Sequence, residues 1–483
     1  MTIRITRRSD LTLENARRVV WDREDVEIGA EALASMEAGR ERLMRILEHD
    51  PDVTIYGVTT GAGQMAKQKI RPEDRGSYAR MSPTGAAASW GDPLPDRVVR
   101  LIILARLTNF IEGHAAVSPE IAQGVAAMLA QESVPVVPAR GQGGAGEILS
   151  LSHLFAPLVE SVGADVKDVM CLVNGSPSAT GLVTDAALTG EARLDLAARV
   201  FALSFEAFNA PLGHLAGALE DYWNNSCDAW ALRTMRTLID GGHGGDRRPY
   251  QAPVSYRIAP RMLGQARRAV DMVRDVAGES LQAVTDNPVW IDERDEDHPF
   301  GQFVSTGGYH NPHAVLAMDA LTAASANLCV LAERHGAKLL DGRVSLLPDQ
   351  LIDPDQEGGI RRGYMGCLPM AQTGYEEEAR YHAQATLLPG SESGGFGQND
   401  VASPVFLAWT KLQRASECLD LALASLAPIA VRALDVTGRR VPEPLAGLEA
   451  TVRNVFPDLE ERRAFGPLVA DIATTFRATI HPS

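Results

Sequence analysis

The chain has 483 residues, 45% of them hydrophobic, and 46 Lys and Arg stand against 62 Asp and Glu for a formal net charge of -16. That length and apolar content bury a large core, and the negative balance, with no Lys/Arg-dense segment, excludes a nucleic-acid backbone as partner. The start, Met1 to Arg8, is basic but runs into Ser9-Asp10 instead of an apolar stretch, so no secretory signal is expected, and the lack of an uninterrupted run of eighteen apolar residues predicts no membrane span.

From about Leu11 to Asp50 charged and apolar residues mix at helical spacing. Val53 to Gly63 then reads as a short strand entering a glycine loop. Between Asp96 and Gln131 apolar residues recur at intervals of three and four, which predicts two helices broken near Gly113 and stopped by Pro135 and Pro138. Arg140 to Glu147 is too glycine-rich for regular structure, and helical spacing resumes from Ile148 to Val162. Beyond Thr189 come alanine- and leucine-rich segments at roughly 190–220, 260–284, 312–340, 365–388 and 402–433, each as long as a bundle helix. Asn311-Pro312 supplies an N-cap followed by proline at the first helical position, with no breaker before Gly336. Gly-, Pro-, Asn- and Asp-rich loops lie near 241–260, 285–311, 341–362 and 389–404. The expectation is a mainly α chain, with an N-terminal loop-bearing region over 1–190 and a helical bundle over 191–483.

Single motifs in these loops have bland readings. Tyr56-Gly-Val-Thr-Thr-Gly-Ala-Gly63 is either a structural turn or a glycine loop holding a phenol over a pocket as acid or base. Asn174-Gly-Ser-Pro-Ser-Ala179 is by itself an asparagine-glycine turn before a helix, and Thr285-Asp-Asn-Pro-Val289 a helix stop with an Asx-type turn. Gly307-Gly-Tyr-His310 could simply lead into the helix at Pro312, and Arg257 in Ser255-Tyr-Arg257 could be a solvated charge. Cys171, Cys227, Cys329, Cys367 and Cys418 are scattered without CxxC spacing, which argues against a disulfide framework or zinc site and fits a reducing cytoplasm. His335 and His382 lie on separate helical stretches and His243 sits alone among glycines, so no metal is expected.

Order carries more than any single motif. Tyr56-Gly-Val-Thr-Thr-Gly, a glycine-alanine-glycine loop ending at Leu-Ser-His153, then Asn-Gly-Ser, Ser-Tyr-Arg, Thr-Asp-Asn-Pro and Gly-Gly-Tyr-His follow one another as they do in the histidine/phenylalanine ammonia-lyases, which the chain resembles over about residues 50–405. The resemblance implies an ammonia-lyase-like long-helix bundle. It also implies a homotetramer whose active sites each draw loops from three subunits, acting on a small zwitterionic substrate, with no nucleic acid or membrane as partner.

The chain departs from that family where its prosthetic group is made. Members carry Ala-Ser-Gly, which cyclises with loss of two waters to a methylidene-imidazolone, and the serine β-hydroxyl is one of the groups lost. The matching triplet here is Gly144-Ala145-Gly146, whose methyl has nothing to lose, so no cofactor is expected. Alignment also puts Val254 where the family has a catalytic tyrosine, Ala86 at a histidine, and Asn399 where histidine-specific members carry a glutamate. What matches is Tyr56, the family's base on the β-carbon proton; Arg257, its two-pronged carboxylate partner; and Asn174 and Tyr309, which line its pocket.

A site with base and carboxylate clamp but no amine activator suits a nitrogen that leaves unaided. Trimethylamine departs as a neutral molecule from a permanently cationic nitrogen, so a betaine of a histidine-like amino acid fits. Within the family this is the chemistry of the ergothionases, which split ergothioneine into thiolurocanate and trimethylamine. The expected roles are Tyr56 as phenolate base, Arg257 with Asn174 on the carboxylate, and Asn399, Arg380 or Glu377 at the ring. Trp90, Trp290 and Tyr309 are aromatics near the motifs that could face the onium group, with plain packing as the rival reading. Alternatives left open are a lyase for another betaine, such as histidine betaine or a ring-modified ergothioneine, or for an amino acid with another good leaving group, and a catalytically silent ligand-binding homologue.

Overall fold

Asn311-Pro312 behaves as its sequence predicts: in the computed structural model, Asn311 Oδ1 accepts the Ala314 amide at 3.2 Å, and a helix runs from Pro312 to Leu340. The structure describes residues 2–242, 247–248, 250–352, 364–387, 400–456 and 464–481; Asn399 and His243 lie outside them. In chain order the elements are β1 (Thr2–Ile5), α1 (Leu13–Val20), β2 (Asp25–Ile28), α2 (Ala30–His49), α3 (Arg75–Ala79), α4 (Asp96–Thr108), α5 (Pro119–Met128), α6 (Ile148–Val162), α7 (Asp168–Val173) and α8 (Pro177–Ala207). There follow α9 (Leu219–Trp223), α10 (Ser226–Leu238), α11 (Val254–Arg257), α12 (Ala259–Leu281), β3 (Val289–Ile291), β4 (Gln302–Val304), α13 (Pro312–Leu340), α14 (Gly342–Ser345), α15 (Leu368–His382), α16 (Val405–Asp435), α17 (Ala446–Val455) and α18 (Phe465–Ile480). The sheets are two-stranded: β1 and β2 pair in parallel, β3 and β4 antiparallel.

Two compact units share the chain. The first holds Met1–Leu188, Val273–Met318 and Ala385–Thr410, and the second Thr189–Met272, Asp319–Gln384 and Lys411–Ser483. Two later segments thus return to the first unit, so neither unit is one continuous stretch of chain. Among the described residues one helix, α13, is long and apolar enough to cross a membrane by length and composition, and 67% of its most apolar window is buried within the chain, as in a core helix.

In the first unit α4 is enclosed on every side, with each residue from Val98 to Thr108 buried. Two of its three arginines, Arg100 and Arg106, are therefore internal. Arg100 donates to the carbonyls of Leu129 at 2.7 Å and Gln131 at 2.7 Å, just past the end of α5 where helix carbonyls lack partners. The start of α8 approaches α4 closely at Gly181, where a Cβ would stand 2.8 Å from the Ile102 amide nitrogen. In the second unit a buried ion pair, Arg193 to Asp420 at 2.7 Å, and a Gln372 amide bonded to the Ala422 carbonyl at 2.8 Å cross between long helices.

Two segments differ from expectation. Val53–Gly63 contains no strand; it is a series of turns apart from an isolated bridge between Thr60 and Lys69. Its β-branched residues serve a hydrophobic cluster instead, in which Ile55 and Val58 pack with Leu43, Ile46 and Trp290. The helix expected at roughly 190–220 starts earlier, at Pro177, and ends at Ala207, before Asn209 turns to a positive φ of 56°.

Candidate active site

Tyr56 is held by a knot of side-chain-to-backbone bonds. Thr59 Oγ1 accepts the Ile55 amide at 2.8 Å and donates to the Val53 carbonyl at 2.7 Å, while the Thr59 amide closes a turn onto the Ile55 carbonyl at 2.9 Å. With Ile55 and Val58 sunk in the core, the half-buried Tyr56 between them has a fixed root. Its phenol oxygen accepts the Gly63 amide at 2.7 Å. Gly57 has a φ of 69°, and a Cβ there would meet the Met170 side chain at 2.8 Å, so the loop seats against α7 only with glycine at that position.

The Gly144-Ala145-Gly146 segment is irregular, with Gly144 at a φ of 118°. Ser403 donates its amide to the Gly144 carbonyl at 3.1 Å, and His310 Nε2 donates to the neighbouring Ala402 carbonyl at 3.2 Å. The half-buried Tyr309 ring comes within 3.6 Å of where a Gly146 Cβ would stand. Glu147, next in the chain, is buried, and its carboxylate accepts the Ser178 amide at 2.5 Å and the Ala179 amide at 2.8 Å at the start of α8. One carboxylate thus ties the glycine loop to the helix that follows Asn174.

That tie has a pH signature. Burial pushes the Glu147 carboxyl up from an ordinary 4.5 to about 7, partly countered by the Ala179 and Ser178 amides. Since the folded value is the raised one, the folded chain binds the proton more tightly than the unfolded chain. The stability this contributes is full below about 4.5 and is lost as pH rises to about 7, about 3 kcal/mol in all. Denaturant midpoints at about pH 5 and about pH 8 should differ accordingly, and Glu147→Gln, uncharged at both, should abolish that part of the difference. A variant with the same pH dependence as the parent would dismiss it.

Asn174 caps α7, its side-chain nitrogen donating to the Met170 carbonyl at 3.3 Å and its own carbonyl accepting from Arg106. Arg106 is fully buried, and burial lowers its pKa against the pull of Asp286. The Thr285-Asp-Asn-Pro288 motif turns out to be a brace. Thr285 Oγ1 accepts the Ser176 amide at 3.0 Å, Asp286 pairs with Lys167 at 2.6 Å, and Asn287 Oδ1 accepts from Ser305 at 3.0 Å and the Thr306 amide at 2.9 Å. It joins the Asn174 segment to the one bearing Tyr309.

The tyrosine loop, the start of α6 and the α7 segment border a cavity of about 300 Å³. Gly57 and Ala62 of the tyrosine loop, Tyr78, Ala86, Ile148 at the start of α6, Lys167, and Met170 and Val173 of α7 line it. Burial raises the Tyr78 phenol, and the Ala62 backbone and Tyr56 also act on it, so two phenols share this corner. Sequence reasoning passed over Tyr78, Glu147, Arg106 and Lys167. The last carried a signal, a charged pair Lys167-Asp168 set between Val166 and Val169.

Arg257, Glu377 and Arg380 belong to the second unit. Arg257 ends α11 half-buried; its Nε is buried without a partner, and no carboxylate among the described residues pairs with it. Val254, at the position of the family tyrosine, is 58% exposed. On α15, Glu376 faces inward, whereas Glu377 and Arg380 are exposed and Arg380 bonds to Glu376 at 3.4 Å. The tryptophans do not form a cage: Trp290 is core, donating to the Phe300 carbonyl at 3.0 Å, and Trp90 is 90% exposed.

The sequence matches the aromatic amino acid lyase family profile over residues 11–164 and 159–456. It is 25% identical over 441 residues to a histidine ammonia-lyase of Streptococcus gordonii, covering 85% of this chain and 82% of the relative. Among solved structures, the ergothionase of Treponema denticola, in complex with desmethyl-ergothioneine sulfonic acid, superposes with a TM-score of 0.89 at 19% identity over 100% of both chains. A histidine ammonia-lyase from Trypanosoma cruzi gives a TM-score of 0.84 at 21% identity, over 100% of this chain and 95% of that one.

Proposed function

The chain belongs to the aromatic amino acid lyase family, and we propose that it is a carbon–nitrogen lyase that eliminates trimethylamine from ergothioneine to give thiolurocanate without a methylidene-imidazolone. One observation carries the reading: the Gly144-Ala145-Gly146 loop, beside Tyr309 and Ser403, has only the Ala145 methyl at the residue that must give up a β-hydroxyl to form that group. The residues present do not fit the group, so no step runs through it.

In the proposed reaction Tyr56, as phenolate, takes a proton from the β-carbon. The C–H electron pair becomes the new carbon–carbon double bond, the Cα–N bond breaks, and trimethylamine departs as a neutral amine with the C–N bonding pair. Arg257 and Asn174 hold the carboxylate in this scheme. Asn399, Arg380 or Glu377, with Tyr309, face the ring or the onium group. Tyr56 beside an amide donor, and the mostly apolar cavity next to it, support the assignment. Assembly as a homotetramer with shared active sites, in the cytoplasm, is part of the proposal. Leu316 and Leu407, each 54% exposed near the starts of α13 and α16, are apolar surface of the kind an assembly covers.

Purified protein given ergothioneine should release trimethylamine and form a conjugated, ultraviolet-absorbing acrylate, with histidine betaine and other trimethylammonium acids as the comparison panel. Its intact mass should show no loss of two waters. Ammonia released from histidine at an ordinary rate, or no product from any betaine at high enzyme concentration, would end the proposal.

A further inference from the structure

Arg257 sits on a four-residue helix, too short to hold its own shape. What holds it is an aromatic stack on the preceding residue. Tyr256 is fully buried, its ring 4.1 Å from Phe208 at 25° and 3.8 Å from His335 at 14°. Phe201 meets the His335 ring edge-on at 5.3 Å. The alignment that puts Val254 at the family's catalytic tyrosine sets Ser255-Tyr-Arg257 against a Tyr-Ser-Leu-Arg motif, so the tyrosine at 256, where the motif has leucine, is a departure of the chain.

The polar atoms close a circuit. His335 Nε2 lies 3.2 Å from the Ser255 carbonyl, which can only accept, so Nε2 carries the proton. Nδ1 is then an acceptor, and the Ser204 hydroxyl at 3.0 Å donates to it. Tyr256 donates its hydroxyl to the His335 carbonyl at 3.2 Å, with Ser204 Oγ 3.3 Å away. The Ser255 carbonyl and the Tyr256 side chain, immediately before the peptide leading to Arg257, are thereby both held. Burial holds the His335 imidazole down to about 3, so this neutral tautomer persists through the neutral range.

We propose that Ser204, Tyr256 and His335 are positioning residues for Arg257, aiming its guanidinium at a ligand carboxylate. The inference rests on the reading of Arg257 as the carboxylate clamp. A buried polar network aims a neighbouring group only while each member is satisfied, and a side chain held to a fraction of an ångström is what a bidentate contact needs.

The test compares ergothioneine with its carboxamide in the full-length enzyme. Tyr256→Phe keeps the stack and removes one oxygen; His335→Phe keeps a ring and removes both nitrogens; Arg257→Met removes the clamp. Both stack variants should raise KM for ergothioneine about tenfold while changing the carboxamide less than about threefold. Arg257→Met should erase the preference for the carboxylate. If Arg257→Met keeps that preference, the clamp reading fails and this inference with it. If Arg257→Met erases it and the stack variants retain it, or weaken both ligands equally, the positioning role alone is overturned. Should His335→Phe fail to fold, Tyr256→Phe carries the comparison.

Discussion

Replacing Tyr56 by Phe is expected to lower kcat on ergothioneine by about 10³-fold and to leave KM within about threefold, since a positioned base acts only as the proton moves. The loss corresponds to about 4 kcal/mol of barrier. The design isolates one atom. Tyr56 is rooted through the burial of Ile55 and Val58 and the Thr59 bonds, none of which involves its phenol oxygen. Only the Gly63 amide loses its acceptor. Trimethylamine release under saturating substrate, with equilibrium binding of ergothioneine, reads both quantities. A variant that turns over at more than a tenth of the parental rate would remove Tyr56 as the base and direct attention to Tyr78, the other phenol at this corner.

Where a boundary was written in local chemistry, the sequence disclosed it. Pro312 after a capping asparagine fixed one end of α13, and the return of helical spacing after the glycines placed α6 at Ile148–Val162. The misses come from tertiary demand overriding local preference. Val53, Ile55 and Val58 have the composition of a strand, yet Thr59 folds the backbone into turns and the apolar side chains enter a cluster formed with α2 and Trp290. Asn174-Gly-Ser reads as a turn before a helix, and α8 does open at Pro177; the alanine- and leucine-rich spacing that marks the long helix appears only from about 190, so the length was not legible.

The site divides in the same way. Tyr56, Asn174, Tyr309 and the Gly144-Ala145-Gly146 loop were legible from motif order, and the first unit contains all of them. The groups that hold them were not legible. Glu147, Arg106 and Lys167 act through backbone amides, carbonyls and a partner 119 residues away in sequence. No spacing rule relates a lysine ahead of α7 to an aspartate after α12, and only the fold brings them to 2.6 Å.

That pair supplies the second large effect. Lys167 and Asp286 have side chains with 0% exposure. Burial alone would lower the Lys167 ammonium, and Asp286, with Cys171 adding to it, more than offsets this, leaving it above the ordinary lysine value. Lys167→Met would strand the Asp286 carboxylate in the interior, at an expected loss of about 3–5 kcal/mol, readable as a lower denaturant midpoint. Combining it with Asp286→Leu removes both charges and should recover most of that stability, because the cost lies in the unpaired ion more than in the absent attraction. Activity should not follow stability back. Asp286 stands between Thr285, which accepts from Ser176, and Asn287, which accepts from Ser305 and Thr306, so reshaping it loosens the brace between the Asn174 and Tyr309 segments. A single variant no less stable than the double one would show that the buried charge is satisfied by some other group, and that the ion pair is not what joins the two segments.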